Sequence, residues 1–125
     1  LQLYTRTDIM LDPFPFNGAT TTFESICMGV PVVALWGDTF VSRVAGSLMS
    51  HIGEADLAAH SREEYVDIAT ALAQDPQRLA QLRATLRQKI IASPLLDSAA
   101  YAREIAQAFR EMWQERCRQK TIEIS

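Results

Sequence analysis

A cluster of hydroxyl and carboxylate side chains lies in residues 17–24, where the sequence reads NGATTTFE. Three consecutive threonines follow an Asn-Gly pair, and Glu24 comes two residues after the last threonine. Gly18 carries no side-chain bulk, so main-chain amides and threonine hydroxyls can approach an anion such as phosphate together. A carboxylate only accepts hydrogen bonds and repels phosphate, so Glu24 suits a ribose diol better. The pattern therefore predicts an anion site without naming the anion.

The flanking segments are expected to place this cluster at the edge of a parallel sheet. DIMLD (residues 8–12) and PVVAL (31–35) have the short apolar pattern of buried strands, with a Pro- and Gly-containing loop after the first. Apolar residues at helical spacing predict a helix over 20–28. Its first amides lack internal partners and carry the positive end of the helix dipole, at the strand edge where ligands collect. An ordinary helix cap is the alternative interpretation.

The remainder of the chain is predicted to be mainly helical. FVSRVAGSLMSHIG predicts one helix over 40–53, and ADLAA (55–59) predicts a short third strand. Ser61 with Glu64 forms a capping box, and Asp75 is a cap followed by proline at the first helical position. The side chains expected to be buried in the helix over 40–53 are Phe40, Val41, Val44, Leu48 and Ile52.

The last predicted helix runs from about Ser98 to Arg118, with one apolar face on which Met112 and Trp113 are expected to belong to the core. That face consists of Tyr101, Ile105, Phe109, Met112 and Trp113. The alternation of strands and helices predicts an α/β fold, with a partial Rossmann-like parallel sheet followed by several helices. We expect one domain over residues 1–125, with a frayed tail over 119–125.

Composition excludes several classes of function. The chain has 125 residues, is 48% hydrophobic and carries a formal net charge of −3, with no run of Lys or Arg. This argues against a nucleic-acid or anionic-membrane partner. No apolar run approaches the roughly 20 residues of a membrane span, and the two cysteines are not arranged with histidines at metal-binding spacing. We therefore predict a cytoplasmic protein without a metal site. The missing initial methionine suggests a piece of a longer protein.

A second group of candidate residues comes from the loops near the strand ends. Asp12 ends the first strand, where catalytic residues of α/β proteins often lie, but Asp12-Pro13 is also a good turn starter. Arg43, one turn into its helix, could reach a phosphate or pair with a carboxylate. The full second group is Asp12, Asn17, Asp38, Thr39 and Arg43.

The segment DIMLDPFPFNGATTTFESICMGVPVVALWGDTFVSRVAGSLM, with EEYV, SPLLD and a closing MW, resembles a known family. It is similar to the end of the catalytic region of the O-linked N-acetylglucosamine transferases, which include animal O-GlcNAc transferases, plant SPINDLY-type enzymes and bacterial proteins with tetratricopeptide repeats. The likeness runs from about Asp8 to Trp113. The composite motif is much more specific than any of its parts.

The resemblance implies a GT-B architecture, in which two Rossmann-like halves hold a sugar nucleotide between them. This chain would be the C-terminal part of the donor-binding half, and the donor would be UDP-N-acetylglucosamine. Thr20 and Thr21 match the pair that holds the diphosphate. Glu24 matches the acidic position that binds the ribose, which is Asp in the animal enzymes. Ala19 departs from the histidine of the animal enzymes, so donor affinity or sugar choice can differ.

The resemblance gives donor-nucleotide roles to the threonine turn and no catalytic residue to this chain. The donor-binding set is Gly18, Ala19, Thr20, Thr21, Thr22 and Glu24, and the segment from Gly37 to Thr39 resembles a loop near the donor pocket. A lysine that neutralises the leaving diphosphate, most uracil contacts and the acceptor half lie upstream in the family. The predicted partners are thus a UDP-sugar, a protein acceptor with Ser or Thr, the upstream catalytic half and tetratricopeptide repeats.

The isolated chain is accordingly expected to lack turnover. Two other hypotheses remain open. One is a non-catalytic nucleotide-binding or protein-interaction module with the same fold. The other is a GT-B enzyme that acts on a small-molecule or lipid acceptor.

Overall fold

A computed structural model describes residues 2–123 of the chain, with side chains described through residue 119. The chain forms two compact units, Leu1–Ser93 and Pro94–Ser125. None of the helices in the described part is long and apolar enough to span a membrane.

The first unit is built around a parallel sheet of three short strands in the order β1-β2-β3. The strands are β1 (Met10–Leu11), β2 (Val32–Leu35) and β3 (Ala58–Ala59). Met10 pairs with Val32, and Ala34 pairs with Ala58. The prediction of an α/β fold with parallel strands is confirmed. The third strand is shorter than predicted, because residues 55–57 form a turn of 3-10 helix before it.

Four α-helices of this unit surround the sheet, and short 3-10 turns connect them. The helices are α1 (Thr20–Cys27), α2 (Val44–His51), α3 (Arg62–Ala73) and α4 (Pro76–Ala92). The 3-10 turns are Gln2–Arg6, Phe40–Ser42 and Ala55–Leu57. Val32, Val33 and Ala34 of the central strand are fully buried, as are Ile26 of α1 and Met49 of α2. The core therefore lies around β2, which fixes the position of the loops at both of its ends.

The predicted N-caps of α3 and α4 are confirmed, but the capping box predicted at Ser61 is not closed, because Glu64 Oε2 accepts the amide N–H of His60 at 2.6 Å instead of that of Ser61. Ser61 Oγ accepts the Glu64 amide N–H at 3.0 Å. Asp75 Oδ1 likewise accepts the Arg78 amide N–H at 2.8 Å, and Pro76 occupies the first helical position. Each cap satisfies an amide that a helix start leaves without a partner. These caps depend only on nearby residues, which is why the sequence predicted them.

The predicted single helix over 40–53 is wrong. The chain forms a 3-10 turn over Phe40–Ser42, breaks at Arg43 and then begins α2. Ser42 causes the break, because its Oγ lies 2.9 Å from Thr39 Oγ1 and accepts the Thr39 amide at 3.1 Å. As a result Phe40 is 85% exposed and Val41 36% exposed instead of buried.

The buried face of α2 also differs from the predicted one, although Ile52, the C-cap residue, is buried as predicted. That face consists of Ala45, Gly46 and Met49, whereas Val44 and Leu48 are half-buried. A Cβ added to Gly46 would lie 2.7 Å from Cε2 of Trp36. Helix α2 therefore contacts the Trp36 ring through Gly46. A prediction of the buried face from large apolar residues does not include a glycine.

The second unit contains a 3-10 turn, Pro94–Leu96, and one long helix, α5 (Ser98–Glu123). Helix α5 continues past the predicted end at Arg118, and the last two residues of the predicted tail lie outside the described part. The five residues of its apolar face are exposed, so the prediction that Met112 and Trp113 belong to the core is wrong.

Candidate functional site

The threonine turn forms the start of α1, directly after the loop that follows β1. Ala19 is the N-cap residue, and no side chain in the described part of the chain caps the helix. Ala19, Thr20 and Thr21 are exposed. The first-turn amides thus keep unused hydrogen-bonding capacity, and the positive end of the helix dipole faces outward. This arrangement can bind an anion, as helix N-termini in α/β proteins do.

The three threonines are not equivalent. Thr22 is fully buried, and its hydroxyl donates to Oδ1 of Asp12 at 2.9 Å. The Gly18 amide donates to the same oxygen at 3.0 Å. Thr22 therefore has its hydroxyl hydrogen directed inward, whereas the hydroxyls of Thr20 and Thr21 belong to exposed residues.

Asp12 is the buried centre of this turn, with no exposed surface. Its backbone amide donates to Val33 O at 2.9 Å, and its carbonyl accepts the Tyr65 hydroxyl at 3.0 Å. Burial raises the pKa of the Asp12 carboxyl, although hydrogen bonds from Thr22, Gly18 and Asn17 act in the opposite direction. Asp12 thereby joins β1, the threonine turn and α3.

Glu24 has a partner that sequence reasoning missed. The Tyr4 hydroxyl donates to Glu24 Oε2 at 3.3 Å, and the Thr21 carbonyl lies 3.5 Å from the same hydroxyl. Burial, followed by the nearby Glu24 charge and hydrogen bond, raises the pKa of Tyr4. Arg83 of α4 supports this contact, because its guanidinium donates to Tyr4 O at 3.0 Å. No local sequence signal links these three residues.

The loop after β2, which contains Asp38 and Thr39, lies beside the threonine turn. The backbone amide of Asn17 donates to Val41 O at 2.9 Å. Asp38 and Thr39 are exposed, and the Thr39 side chain is engaged with Ser42. The structure thus brings the loop after β2 next to the loop after β1.

Arg43 faces an aromatic ring. Its guanidinium carbon lies 5.4 Å from the Trp36 ring centroid, and the His60 ring stacks on Trp36 with centroids 6.2 Å apart. A cavity of about 420 Å³ lies at this place, lined by Trp36, Asp38, Arg43 and His60 among others. The arrangement combines a stacked aromatic pair with opposite charges at the carboxyl ends of β2 and β3.

A parallel α/β sheet with an uncapped helix N-terminus at its carboxyl edge is the arrangement of nucleotide-binding α/β proteins. The model of glycosyl transferase family 41 matches residues 4–105, and the chain belongs to this family.

Relatives in this family carry transferase names. The chain is 42% identical over 117 residues to a Solanum lycopersicum protein named "Probable UDP-N-acetylglucosamine--peptide N-acetylglucosaminyltransferase SPINDLY", with 94% of this chain and 13% of that protein covered. It is 34% identical over 106 residues to the UDP-N-acetylglucosamine--peptide N-acetylglucosaminyltransferase of Caenorhabditis elegans, with 85% of this chain and 9% of that protein covered.

A solved structure of similar fold is a mutant of the O-GlcNAc transferase of Thermobaculum terrenum. The TM-score is 0.85 at 36% identity, over 94% of this chain and 23% of that chain. The predicted family resemblance is confirmed by these matches. The chain spans only about an eighth of the length of its plant relative, since 13% of that protein is covered.

Proposed function

We propose that this chain is the donor-nucleotide-binding portion of a UDP-sugar-dependent protein O-glycosyltransferase that transfers N-acetylglucosamine to Ser or Thr. The observation that carries the proposal is the exposed, uncapped start of α1 at the carboxyl edge of the sheet. Membership of glycosyl transferase family 41 and the names of the relatives support it.

The proposed chemistry of the turn is electrostatic. Negative charge develops on the departing UDP as the bond between sugar and diphosphate breaks, and fixed N–H and O–H dipoles stabilise that charge. The first amides of α1 and the hydroxyls of Thr20 and Thr21 would donate to the diphosphate. Glu24, exposed and next to Tyr4, would accept hydrogen bonds from the ribose hydroxyls. Thr22 would contribute by holding the turn, because its hydroxyl hydrogen is donated to Asp12.

The rest of the active site is proposed to lie in the upstream half of the catalytic region, which would supply the acceptor site and the cation that faces the leaving group. The chain by itself would then bind UDP but have no turnover. We also propose that the full-length protein is cytoplasmic and carries tetratricopeptide repeats, as the resemblance implies.

Replacing Thr20 and Thr21 by alanine together is expected to weaken UDP binding at least about 100-fold. Each lost hydrogen bond to a charged group costs about 1.5–3 kcal/mol, and a tenfold change corresponds to ~1.4 kcal/mol. Calorimetric titration of the chain with UDP measures this, and amide shifts identify the residues that respond. Thr70→Ala, at an exposed threonine of α3, is the matched control and should leave UDP binding unchanged.

The proposal fails if UDP shifts no amide between Gly18 and Glu24, or if the double variant binds as the wild type does. An activity assay of a longer polypeptide that includes the upstream residues then distinguishes a glycosyltransferase from a non-catalytic module. Transfer of N-acetylglucosamine to a Ser or Thr of a protein is expected from the enzyme. Binding of UDP without hydrolysis or transfer would instead support a non-catalytic nucleotide-binding module.

Removing the Tyr4 hydroxyl with Tyr4→Phe is expected to weaken UDP binding about two- to fivefold, because one hydrogen bond that orients Glu24 contributes roughly 0.5–1 kcal/mol. The same titration measures the effect. Tyr101→Phe, at a tyrosine of α5 that is 65% exposed, should leave the dissociation constant unchanged. An unaltered constant for Tyr4→Phe would show that Glu24 needs no support from Tyr4.

A further inference from the structure

Arg83 of α4 contacts the N-terminal 3-10 turn, Gln2–Arg6, and the two residues after it through three hydrogen bonds. Its Nη2 donates to Tyr4 O at 3.0 Å and to Thr7 O at 3.2 Å, and its Nη1 donates to Asp8 Oδ1 at 3.2 Å. A guanidinium presents its N–H groups in a fixed planar fork. Three acceptors bound to one fork therefore define where the 3-10 turn lies relative to α4.

The main chain of Arg83 lies directly against the end of α1. A Cβ added to Gly29, in the turn that follows α1, would lie 2.7 Å from Arg83 O. The Gly29 amide donates to Ile26 O of α1 at 3.0 Å, so this turn belongs to the end of the helix. The residue that binds the 3-10 turn through its side chain thus contacts α1 through its backbone.

Tyr4 links the 3-10 turn to Glu24 of α1. Its hydroxyl donates to Glu24 Oε2 at 3.3 Å and lies 3.5 Å from Thr21 O. Glu24 is exposed, and an exposed glutamate loses rotamer freedom when it binds a ligand. The bond from Tyr4 favours one orientation of the carboxylate before any ligand arrives. A carboxylate has about four acceptor positions, so others remain for a ligand.

We propose that Arg83 is a positioning residue that holds Tyr4 against Glu24, and so makes the site select a nucleotide that carries ribose hydroxyls. This inference rests on the proposed function, in which Glu24 accepts hydrogen bonds from the ribose. A site built to bind a hydroxyl discriminates against the analogue that lacks it. Discrimination is stronger when neighbouring groups fix the side chain that binds.

An effect of the Arg83 charge alone makes a different prediction. A cation near UDP attracts the diphosphate whether or not ribose hydroxyls are present. Positioning changes only the contribution of the hydroxyls. The ratio of the dissociation constants of 2′,3′-dideoxy-UDP and UDP therefore separates the two effects, because both ligands carry the same diphosphate.

Arg83→Ala is expected to lower this ratio about two- to fivefold, as loss of the hydrogen bond from Tyr4 would. The dissociation constant of 2′,3′-dideoxy-UDP should stay within about twofold of wild type. Calorimetric titration of the chain measures both constants. Arg83→Lys should also lower the ratio, since an ammonium keeps the charge but cannot bind three acceptors as a planar fork does. Arg87→Ala, at an exposed arginine one turn further along α4, is the matched control and should change neither constant.

The double variant Arg83→Ala/Tyr4→Phe tests whether Arg83 acts through Tyr4. If it does, the two effects are not additive, and the ratio should fall about two- to fivefold in total instead of by the product, roughly four- to 25-fold. A fall equal to the product would show that Arg83 acts by another route and would overturn the proposal.

A structural readout needs no ligand. Nuclear Overhauser effects between the Tyr4 ring and the Glu24 side chain are expected in wild type and should be lost in Arg83→Ala. The same effects should persist in Arg87→Ala, which leaves the contacts of Arg83 intact.

Three further results overturn the proposal: equal weakening of both ligands in Arg83→Ala, an unchanged ratio in both Arg83 variants, or Overhauser effects between Tyr4 and Glu24 that persist in Arg83→Ala. If Arg83→Ala does not fold, the same measurements on Arg83→Lys decide. If wild type binds both ligands equally, Glu24 does not select the ribose and the proposal fails. If wild type binds neither ligand, the proposed function fails, and the Overhauser effects still decide whether Arg83 holds Tyr4 against Glu24.

Discussion

Gly18→Ala is expected to lower the affinity for UDP at least about tenfold, ~1.4 kcal/mol, while the chain remains folded. A Cβ at residue 18 would lie 2.6 Å from Thr21 Oγ1, 2.8 Å from Thr22 Oγ1 and 3.0 Å from Asp12 Oδ1. The Thr22 hydroxyl is buried and bonded, so it cannot turn away without losing its partner. The clash with the added Cβ can therefore be relieved only if Thr21 or the backbone of the turn moves. Either movement displaces groups that are proposed to hold the diphosphate.

Gly53→Ala is the matched control for Gly18→Ala. A Cβ there would meet no atom within 4 Å, but Gly53 has a φ of 76°, a backbone conformation that alanine rarely adopts. Gly53→Ala should thus lower the free energy of unfolding but leave UDP affinity unchanged at temperatures where the chain is folded. Thermal unfolding and calorimetric titration of both variants separate the two effects. Equal UDP affinity for Gly18→Ala and wild type would contradict the prediction.

The second large effect is expected at the buried carboxylate of Glu54. Its side chain is 1% exposed and forms ion pairs with Arg78 and Lys89 of α4. Arg78 also lies 3.3 Å from the exposed carboxylate of Asp56, a contact that solvent weakens. Replacing both cations, as Arg78→Ala/Lys89→Ala, leaves a buried charge without compensation. The free energy of unfolding is expected to fall by about 3–5 kcal/mol, as measured by urea denaturation of the chain.

Rescue distinguishes the buried charge from lost packing. Adding Glu54→Gln to the double variant removes the uncompensated charge and should recover part of the lost free energy of unfolding. Gln88→Ala, at an exposed position of α4, is the control and should lie within about 0.5 kcal/mol of wild type. A triple variant no more stable than the double variant would show that packing, and not charge, causes the loss.

Helix starts and the strands next to them were predictable because their causes are local. The caps at Ser61 and Asp75 each join residues three positions apart. The start of α1 at Thr20 also agrees with the prediction. The same local reasoning failed at residues 40–53, where apolar spacing predicted a continuous helix. A side-chain bond between Thr39 and Ser42 outweighed that spacing and turned Phe40 outward.

The amino-acid sequence by itself determined the family, the α/β alternation and the position of the threonine turn between two buried strands. Only the tertiary structure decided which side chains of that turn point outward. The Thr22 contact with Asp12 spans 10 residues, the Tyr4 contact with Glu24 spans 20, and Arg83 reaches Tyr4 over 79. Propensity and periodicity act over a few residues along one element. Contacts such as these depend on how separate elements cross in space, so their partners become defined only when the chain has folded.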